Sequence, residues 1–203
     1  MSTYAAPLKD MQFAITELAG LSEISALPGH SEVNAELVES VLTEAAKFAR
    51  DVLDPLNRPG DKQGARLVDG KVTAPSGFKE AYRRFIEAGW NGLGGEPEYG
   101  GQGLPHVVAT PVQEIWKSAN MALCLAPMLT SGVLEAMKAH ASPEQKATYA
   151  GKLTSGVWSG TMNLTEPQAG SDLSAVRTRA VREGDHYRIQ GTKIFITYGD
   201  HDM

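Results

Sequence analysis

Two short segments near the C-terminal end of the sequence carry residue types that could do chemistry. The octet Thr165–Asp172 combines hydroxyl side chains with Gly170, and the segment Thr192–Thr197 follows it after a stretch of ordinary composition. Gly170 lets the backbone approach a ligand closely. Hydroxyl and backbone N–H groups can donate to phosphate oxygens or to the carbonyl edge of a heterocycle. The pattern suits a bound ring with polar edges, to which Thr197 offers a second donor.

The same residues also have a purely structural interpretation. Thr165-Glu166-Pro167 can end a strand, and Asp172 can cap a turn. Residue spacing supports these two interpretations equally.

Hydrophobic periodicity predicts the helices that position these segments. Asn34 is a helix-capping residue type, and Ser142-Pro143-Glu144-Gln145 is a strong helix start. Pro55 and the run 57–64 predict a loop. Apolar residues recur at helical spacing over 8–18, 34–53, 76–86, 107–116 and 121–137.

The pattern changes after these helices. Residues 157–165 alternate between apolar and polar, 175–182 do so again, and Glu183-Gly184-Asp185 predicts a turn before 187–196 with period two. The predicted fold class is therefore mainly α: an all-α helical-bundle domain over 1–156, then the first strands of an incomplete β-barrel-like middle domain over 157–203.

A glycine-rich run, Gly89–Gly103, contains seven glycines but neither a Gly-Lys-Ser/Thr motif nor a preceding strand. We favour a compact surface loop over a phosphate loop. The alternative is a ligand-cavity wall formed by Trp90 and Tyr99.

Composition narrows the class of protein. The 203 residues are 42% apolar and 21% charged, with a net charge of −5, which argues against a nucleic-acid surface. The single Cys124 lies among apolar residues and is interpreted as a buried thiol. The start Met1–Asp10 lacks a secretory signal, and the uncharged run 118–134 is too polar for a membrane span. We expect a cytoplasmic protein without an integral membrane segment or metal site.

Four segments together closely resemble the acyl-CoA dehydrogenase family. They are the octet, Lys193–Thr197, Pro97–Gly103 and His140–Lys146, in the family's order. The first 88 residues resemble the branch exemplified by 3-methylmercaptopropionyl-CoA dehydrogenase. The resemblance implies an FAD enzyme that oxidises an acyl-CoA thioester to the 2-enoyl-CoA, with hydride transfer to flavin N5. It further implies electron transfer to an electron-transferring flavoprotein and a homo-oligomer when full length.

The resemblance also implies which residues border the flavin. Thr165 would bind its pyrimidine end, Ser171 would lie near the pyrophosphate and the acyl-CoA, and Thr197 would point at N5. The full cofactor set is Met162, Leu164, Thr165, Gly170, Ser171, Phe195, Ile196 and Thr197. Met162 and Phe195 stand where many members have an aromatic residue and Trp, respectively.

No catalytic base is assigned in this chain. The family's glutamate belongs to a C-terminal helical domain that is absent from this sequence, and Glu166 is better explained as a structural hydrogen-bond acceptor. The expectation is a fragment that is inactive alone. The alternatives are an acyl-CoA oxidase or flavin monooxygenase on the same scaffold, or a non-catalytic helical interaction module.

Overall fold

The computed structural model describes residues 4–203; Met1–Thr3, the first part of the predicted non-secretory start, lie outside the described residues. Helices dominate the chain and two short β-hairpins complete it. The helices are α1 (Leu8–Phe13), α2 (Leu21–Ser25), α3 (Ala35–Phe48), α4 (Asp54–Gln63), α5 (Phe78–Glu87), α6 (His106–His140) and α7 (Pro143–Thr154). The strands are β1 (Arg66–Val68), β2 (Lys71–Thr73), β3 (Arg179–Glu183) and β4 (His186–Gln190). The mainly α fold class is confirmed.

Two helix starts form as their sequences predict. The Asn34 side chain accepts a hydrogen bond from Leu37 N at 2.9 Å and caps α3. At the start of α7, Ser142 N donates to Gln145 Oε1 at 2.9 Å while Gln145 N donates to Ser142 Oγ. Both caps satisfy backbone N–H groups that a helix start otherwise leaves without partners.

The predicted loop after Pro55 is wrong, because the chain continues as helix. A π-helical turn, Ala49–Leu53, leads from α3 directly into α4, and Pro55 sits in the first turn of α4, where a helix needs no N–H donor. Packing holds this segment helical. Gly60 approaches α5 so closely that a Cβ would lie 2.6 Å from the Phe78 ring. Tertiary contact thus overrides the local proline signal.

The core lies where α3, α4, α5 and α6 meet. Its largest fully buried side chains include Leu42, Leu53, Phe78 and Phe85. The Phe85 ring meets Trp116 edge to face, with ring centroids 4.9 Å apart. Such aromatic contacts add to the stabilisation from burial alone, so α5 and α6 are held together at one well-packed point.

Helix α6 is two helices joined at Asn120. That residue has non-helical backbone angles (φ −156°, ψ 86°) and is fully buried. Its Nδ2 donates to Leu53 O at 3.1 Å, and its Oδ1 accepts from Leu123 N at 3.0 Å. His106 and Glu135 border one cavity, although a straight helix would separate them by roughly 44 Å at 1.5 Å per residue. The two halves of α6 therefore fold back on each other.

By length and composition alone, α6 also qualifies as a helix that could cross a membrane. A core helix can pass the same test, and many residues of α6 are buried in the protein core. We therefore interpret α6 as a core helix.

The β structure is smaller than the sequence predicts. Strands β3 and β4 pair antiparallel, from Arg179↔Gln190 to Glu183↔His186, around the predicted turn. The expected strand over 157–165 is not a regular strand, because this extended segment has no ladder partner among the described residues. The hairpin β1–β2 was not predicted, although its Asp69-Gly70 turn is a typical hairpin signal.

The glycine-rich run is a compact loop held by its own backbone, as the favoured interpretation predicts. Gln102 N donates to Gly92 O at 2.8 Å, and Gly103 N donates to Gly95 O at 2.9 Å. A Cβ on Gly101 would lie 2.1 Å from the carbonyl carbon of Gly95. Glycine is therefore required at position 101 for the two sides of the loop to touch.

Replacing Asn120 by alanine tests how the kink of α6 is held. We expect Asn120→Ala to lower the free energy of unfolding by about 1–3 kcal/mol, because Leu53 O and Leu123 N lose their partner in a buried setting. Urea unfolding of the chain measures this change. Asn57→Ala, at an exposed position of α4, is the control and should change stability by less than about 0.5 kcal/mol. Equal effects at both positions would contradict the role of Asn120 in holding the kink.

Candidate functional site

The carboxylate of Glu166 organises the octet. Only 3% of this residue is exposed, and its oxygens accept from Lys193 Nζ (2.9 Å), Arg177 N (2.7 Å), Thr178 N (2.9 Å) and Gln168 Nε2 (2.6 Å). Lys193 Nζ also donates to Leu164 O at 2.9 Å. One carboxylate thus ties the turn to the segments before β3 and after β4. This geometry confirms Glu166 as a structural acceptor.

The same contacts keep Glu166 ionised. The Lys193 ammonium, followed by the hydrogen bonds from Thr178 and Arg177, holds the pKa of this carboxyl far below its usual range. A charge this well compensated can remain buried. Glu166 therefore has neither a free lone pair nor the basicity to remove a proton from a substrate.

The octet and the segment Thr192–Thr197 lie side by side, as the sequence predicts for one site. Ile194 N donates to Thr165 O at 2.9 Å, and Thr161 Oγ1 donates to Thr197 O at 2.6 Å. In the first bond the acceptor is the backbone carbonyl of Thr165, and in the second it is the backbone carbonyl of Thr197. The side chains of Thr165 and Thr197 remain available for other interactions.

The chain five residues before the octet and the residue directly after Thr197 are anchored to the C-terminal half of α6. Gly160 N donates to the buried Thr130 Oγ1 at 3.1 Å, and Tyr198 Oη donates to Ala122 O at 2.7 Å. A Cβ on Gly160 would lie 2.5 Å from Val133, so only glycine lets the chain pass this close to the helix. The helix therefore fixes where the site sits relative to the helical domain.

Four hydroxyls of the two segments make no side-chain hydrogen bond within residues 4–203: those of Thr165, Ser171, Thr192 and Thr197. Three of them, Thr165, Ser171 and Thr197, are the hydroxyls predicted to face a cofactor. Their neighbours are satisfied: Asp172 Oδ1 accepts from Ser174 N at 3.0 Å and from Ser174 Oγ at 2.6 Å. The carboxylate of Asp172 is thus hydrogen-bonded within the turn, whereas the hydroxyls of Thr165, Ser171 and Thr197 remain free to donate to a ligand.

Large apolar side chains close to these donors in the chain are uncovered. Met162 is 62% exposed and Phe195 86% exposed, and Leu164 is exposed as well. Phe195 also has a left-handed backbone (φ 56°), which costs energy for a residue with a Cβ. Ile196 is half-buried, and a Cβ on Gly170 would meet nothing within 4 Å. An apolar surface beside free donors is suited to a flat ligand with polar edges.

A separate cavity of about 300 Å³ lies between the two halves of α6. Its buried end contains Phe85, Leu93, Trp116 and Cys124. Burial raises the pKa of the Cys124 thiol to about 12, so this cysteine is an inert wall residue, as predicted. The volume is at the lower end of the range for small-molecule sites, about 300–1,000 Å³.

The glycine-rich loop supplies one wall of this cavity. Trp90, Gly94 and Gly95 line it, whereas Tyr99 does not. The loop is therefore both a compact turn and a cavity wall, and the two interpretations that the sequence left open are each correct in part. The lining residues Gln113, Trp116 and Lys117 were not predicted as site residues. Their three-to-four-residue spacing along α6 was the available signal.

A helical domain that carries a cavity, followed by a hydroxyl-rich turn and a β-hairpin, is the arrangement of an acyl-CoA dehydrogenase-type protein. Sequence profiles agree with this class: the acyl-CoA dehydrogenase N-terminal domain matches residues 36–157, and the middle domain matches 161–202. The chain belongs to the acyl-CoA dehydrogenase family.

Individual relatives refine this placement. The chain is 48% identical over 99% of its length to 3-methylmercaptopropionyl-CoA dehydrogenase of Ruegeria pomeroyi, and 32% identical over 98% to a butyryl-CoA dehydrogenase of Syntrophomonas wolfei. It spans 34% of the length of each of these relatives. The predicted resemblance to the 3-methylmercaptopropionyl-CoA dehydrogenase branch is confirmed.

Solved structures share the fold. A glutaryl-coenzyme A dehydrogenase bound to glutaryl-CoA superposes with a TM-score of 0.67 at 26% identity, covering 78% of this chain and 38% of its own. Butyryl-CoA dehydrogenase from Megasphaera elsdenii gives 0.67 at 24% identity, covering 80% of this chain and 41% of its own. The likeness to these structures supports the same arrangement of helical and β parts.

Replacing Glu166 by glutamine tests whether an ionised carboxylate holds the turn. A carboxyl whose pKa is lowered by folding stabilises the fold above its unfolded pKa and loses that contribution as pH falls through the folded pKa. We therefore expect the stability difference between wild type and Glu166→Gln to be largest above about pH 5 and to shrink below about pH 4. Urea unfolding between pH 3 and 7 measures it.

Glu39→Gln provides the control for this experiment. Glu39 is exposed on α3 and makes no hydrogen bond or ion pair within the described part of the chain. Its replacement should change stability little at any of these pH values. A pH-independent effect of Glu166→Gln would contradict the role of the charge.

Proposed function

We propose that the whole protein is an FAD-dependent acyl-CoA dehydrogenase that converts an acyl-CoA thioester to the 2-enoyl-CoA. The observation that carries this proposal is the set of three unpartnered hydroxyls, Thr165, Ser171 and Thr197, beside an uncovered apolar surface. The names of the relatives describe enzymes that act on acyl-CoA thioesters. The proposal extends that activity to this protein.

The residues of the site fit an isoalloxazine ring with an attached diphosphate. Thr165 and Thr197 would donate to the polar edges of the ring, and Ser171 would donate near the diphosphate and the acyl-CoA. Met162, Leu164, Phe195 and Ile196 would cover the apolar parts of the ring, and Gly170 leaves room for its approach. When bound, FAD would accept the hydride that leaves the β-carbon of the substrate.

The chain's own residues would hold the hydrogen-bond donors of this site in place before the cofactor and substrate bind. The Glu166–Lys193 pair and its backbone hydrogen bonds hold the turn, so the donors need no reorganisation when negative charge develops near them. The acyl group would occupy the cavity between the halves of α6. Because α6 also anchors the chain just before the octet, through Gly160 and Thr130, one helix would help to set the distance between the acyl group and the cofactor.

The proton must leave the α-carbon to a base other than the carboxylate of the octet. Glu166 is unsuited to that step, because its oxygens accept four hydrogen bonds and its charge is stabilised.

The further parts of the proposal are transfer of electrons to an electron-transferring flavoprotein, assembly as a homo-oligomer and a cytoplasmic location. An acyl-CoA oxidase or flavin monooxygenase would differ in the reaction of reduced flavin with O₂, which stopped-flow mixing with O₂ measures. A non-catalytic helical interaction module would bind neither flavin nor CoA thioesters.

The 203-residue chain alone is expected not to turn over acyl-CoA, because Glu166 is unsuited as a base and the chain spans only 34% of the length of its relatives. Purified chain, incubated with FAD, an acyl-CoA and an artificial electron acceptor, should give no enoyl-CoA by mass spectrometry. We also expect weak FAD retention on gel filtration. Product formation, or a stoichiometric flavin complex, would show that the chain rebuilds the site.

In the whole protein, Thr197→Val removes one hydroxyl and keeps the side-chain shape. We expect flavin reduction by substrate to slow by about 10²–10³-fold, the usual effect of losing one preorganised donor. Stopped-flow absorbance measures the rate, and the flavin absorption maximum should also shift, which is a readout independent of turnover.

Thr192→Val is the matched control for Thr197→Val. Thr192 lies in the same segment, is exposed, and does not belong to the proposed set of cofactor residues. The flavin spectrum and reduction rate of this control should match wild type. A wild-type reduction rate in Thr197→Val would show that the Thr197 hydroxyl does not assist hydride transfer.

A further inference from the structure

The residue directly after Thr197 has an uncommon backbone conformation. Tyr198 has a left-handed φ of 52°, and Phe195, on the other side of the Ile196–Thr197 pair, has a φ of 56°. Within residues 4–203, Asp69 is the one further non-glycine residue with a positive φ. A left-handed backbone costs energy for a residue with a Cβ, and residues strained in this way concentrate at functional sites. The strain on both sides of Thr197 therefore needs an explanation.

Tyr198 occupies the third position of a tight turn. Gly199 N donates to Ile196 O at 3.3 Å, which closes the turn 196–199 around Thr197 and Tyr198. A left-handed third position is typical of a type II turn, where Gly or Asn is normally found because both adopt this backbone easily. A residue that only had to form the turn would be one of these two. The tyrosine side chain is therefore expected to make a contribution that outweighs the strain.

The side chain of Tyr198 contacts helix α6. Its Oη donates to Ala122 O at 2.7 Å, although the two residues are 76 positions apart in the chain. Ala122 lies just after Asn120, at the start of the second half of α6. The half-buried Tyr198 ring also meets His201 edge to face, with ring centroids 5.7 Å apart. Tyr198 thus fixes the turn to the part of α6 that follows the kink.

The backbone of Thr197 is also held from a second side. Thr161 Oγ1 donates to Thr197 O at 2.6 Å, and the neighbouring Gly160 N donates to Thr130 Oγ1 on α6 at 3.1 Å. Both contacts lead to the second half of α6, and the bond from Tyr198 is the direct one. The Thr197 hydroxyl makes no hydrogen bond within the described residues. A fixed backbone with a free hydroxyl is what a donor of defined direction requires.

Tyr198 itself is unsuited to proton transfer. Burial raises the pKa of its phenol to about 12, and its proton is already donated to Ala122 O. The phenol therefore stays protonated through the pH range of ordinary enzyme assays. A role in holding the turn in position remains.

We propose that Tyr198 is a positioning residue for the hydride step, and that its hydrogen bond to Ala122 O directs the Thr197 hydroxyl. This inference rests on the proposed function, in which Thr197 donates to the flavin and the acyl group occupies the cavity between the halves of α6. Cys124 and Met128, on the same half of α6 as Ala122, line that cavity. The bond would therefore align the donor with the acyl group, and a misplacement of about 1 Å can cost about 10²-fold in rate.

Tyr198→Phe in the whole protein removes this hydrogen bond and keeps the ring. We expect reduction of the bound FAD at saturating acyl-CoA to slow by about tenfold, which is less than the effect of removing the Thr197 hydroxyl itself. Before any substrate is added, the absorption maximum of the oxidised flavin should shift in the same direction as in Thr197→Val. Stopped-flow absorbance with 3-(methylsulfanyl)propionyl-CoA and with butanoyl-CoA measures the reduction rate and its dependence on substrate concentration.

The double variant Tyr198→Phe/Thr197→Val separates positioning from a general structural role. If Tyr198 acts through Thr197, reduction in the double variant should be no slower than in Thr197→Val alone, because the hydroxyl to be positioned is gone. Two losses that multiply would overturn the inference. A Tyr198→Phe effect confined to the substrate concentration that gives half the maximal rate would overturn it as well, because such an effect reports substrate binding.

A second replacement of Tyr198 and a control complete the test. Tyr198→Asn introduces a residue type that tolerates the left-handed backbone and lacks the phenol, so it should also slow reduction, and it carries the test if Tyr198→Phe does not fold. Tyr149→Phe, at an exposed position of α7 without a side-chain hydrogen bond in the described part of the chain, should match wild type. Wild-type rates and flavin spectra in both Tyr198 variants would overturn the inference. Absence of FAD binding and of flavin reduction in the wild-type protein would instead count against the proposed function.

Discussion

The buried carboxylate of Glu166 is the constraint on which the candidate site depends. Burying a charge is expensive unless it is paired and hydrogen-bonded, and this one has both an ammonium and two backbone N–H groups. Its partners come from the turn itself, from the segment before β3 and from the segment after β4. Because the carboxylate is satisfied only when all three meet, it specifies one geometry for the turn. The free hydroxyls of Thr165 and Ser171 derive their positions from that geometry.

Helix α6 plays the corresponding role for the rest of the molecule. Its kink at Asn120 folds two halves around the cavity, and its second half holds both site segments through Thr130 and Ala122. The interaction of Asn120 with Leu53 O links this kink to the π-helical turn that follows α3. The cavity and the position of the octet therefore both depend on this one helix. A change in the kink would move both together.

How far the sequence predicts this structure follows from the range of the interactions involved. Helix caps at Asn34 and Ser142 are formed by residues three positions apart, so the sequence predicts them and the structure confirms them. The continuation through Pro55 depends on packing against Phe78, which no local pattern reveals. The strand predicted over 157–165 does not form. Alternation of apolar and polar residues predicts a strand face, but a strand also needs a neighbouring strand with which to form hydrogen bonds, and the sequence pattern does not show whether one is present.

The candidate site also has a part that a local sequence pattern indicates and a part that depends on long-range packing. The concentration of hydroxyl, glycine and proline residues drew attention to the octet, but it fitted a structural turn equally well, and the cofactor roles of the octet and Thr197 came from the family resemblance. The polar residues of the first half of α6 that line the cavity were visible only as an ordinary helix face, since their spacing is typical of a solvated surface. They are His106, Thr110, Gln113 and Lys117. What distinguishes this face is that it lines one cavity together with Cys124, which lies beyond the kink, and Phe85, which is distant in the chain. That arrangement belongs to the tertiary structure, because it depends on the kink at Asn120, which folds the two halves of α6 against each other.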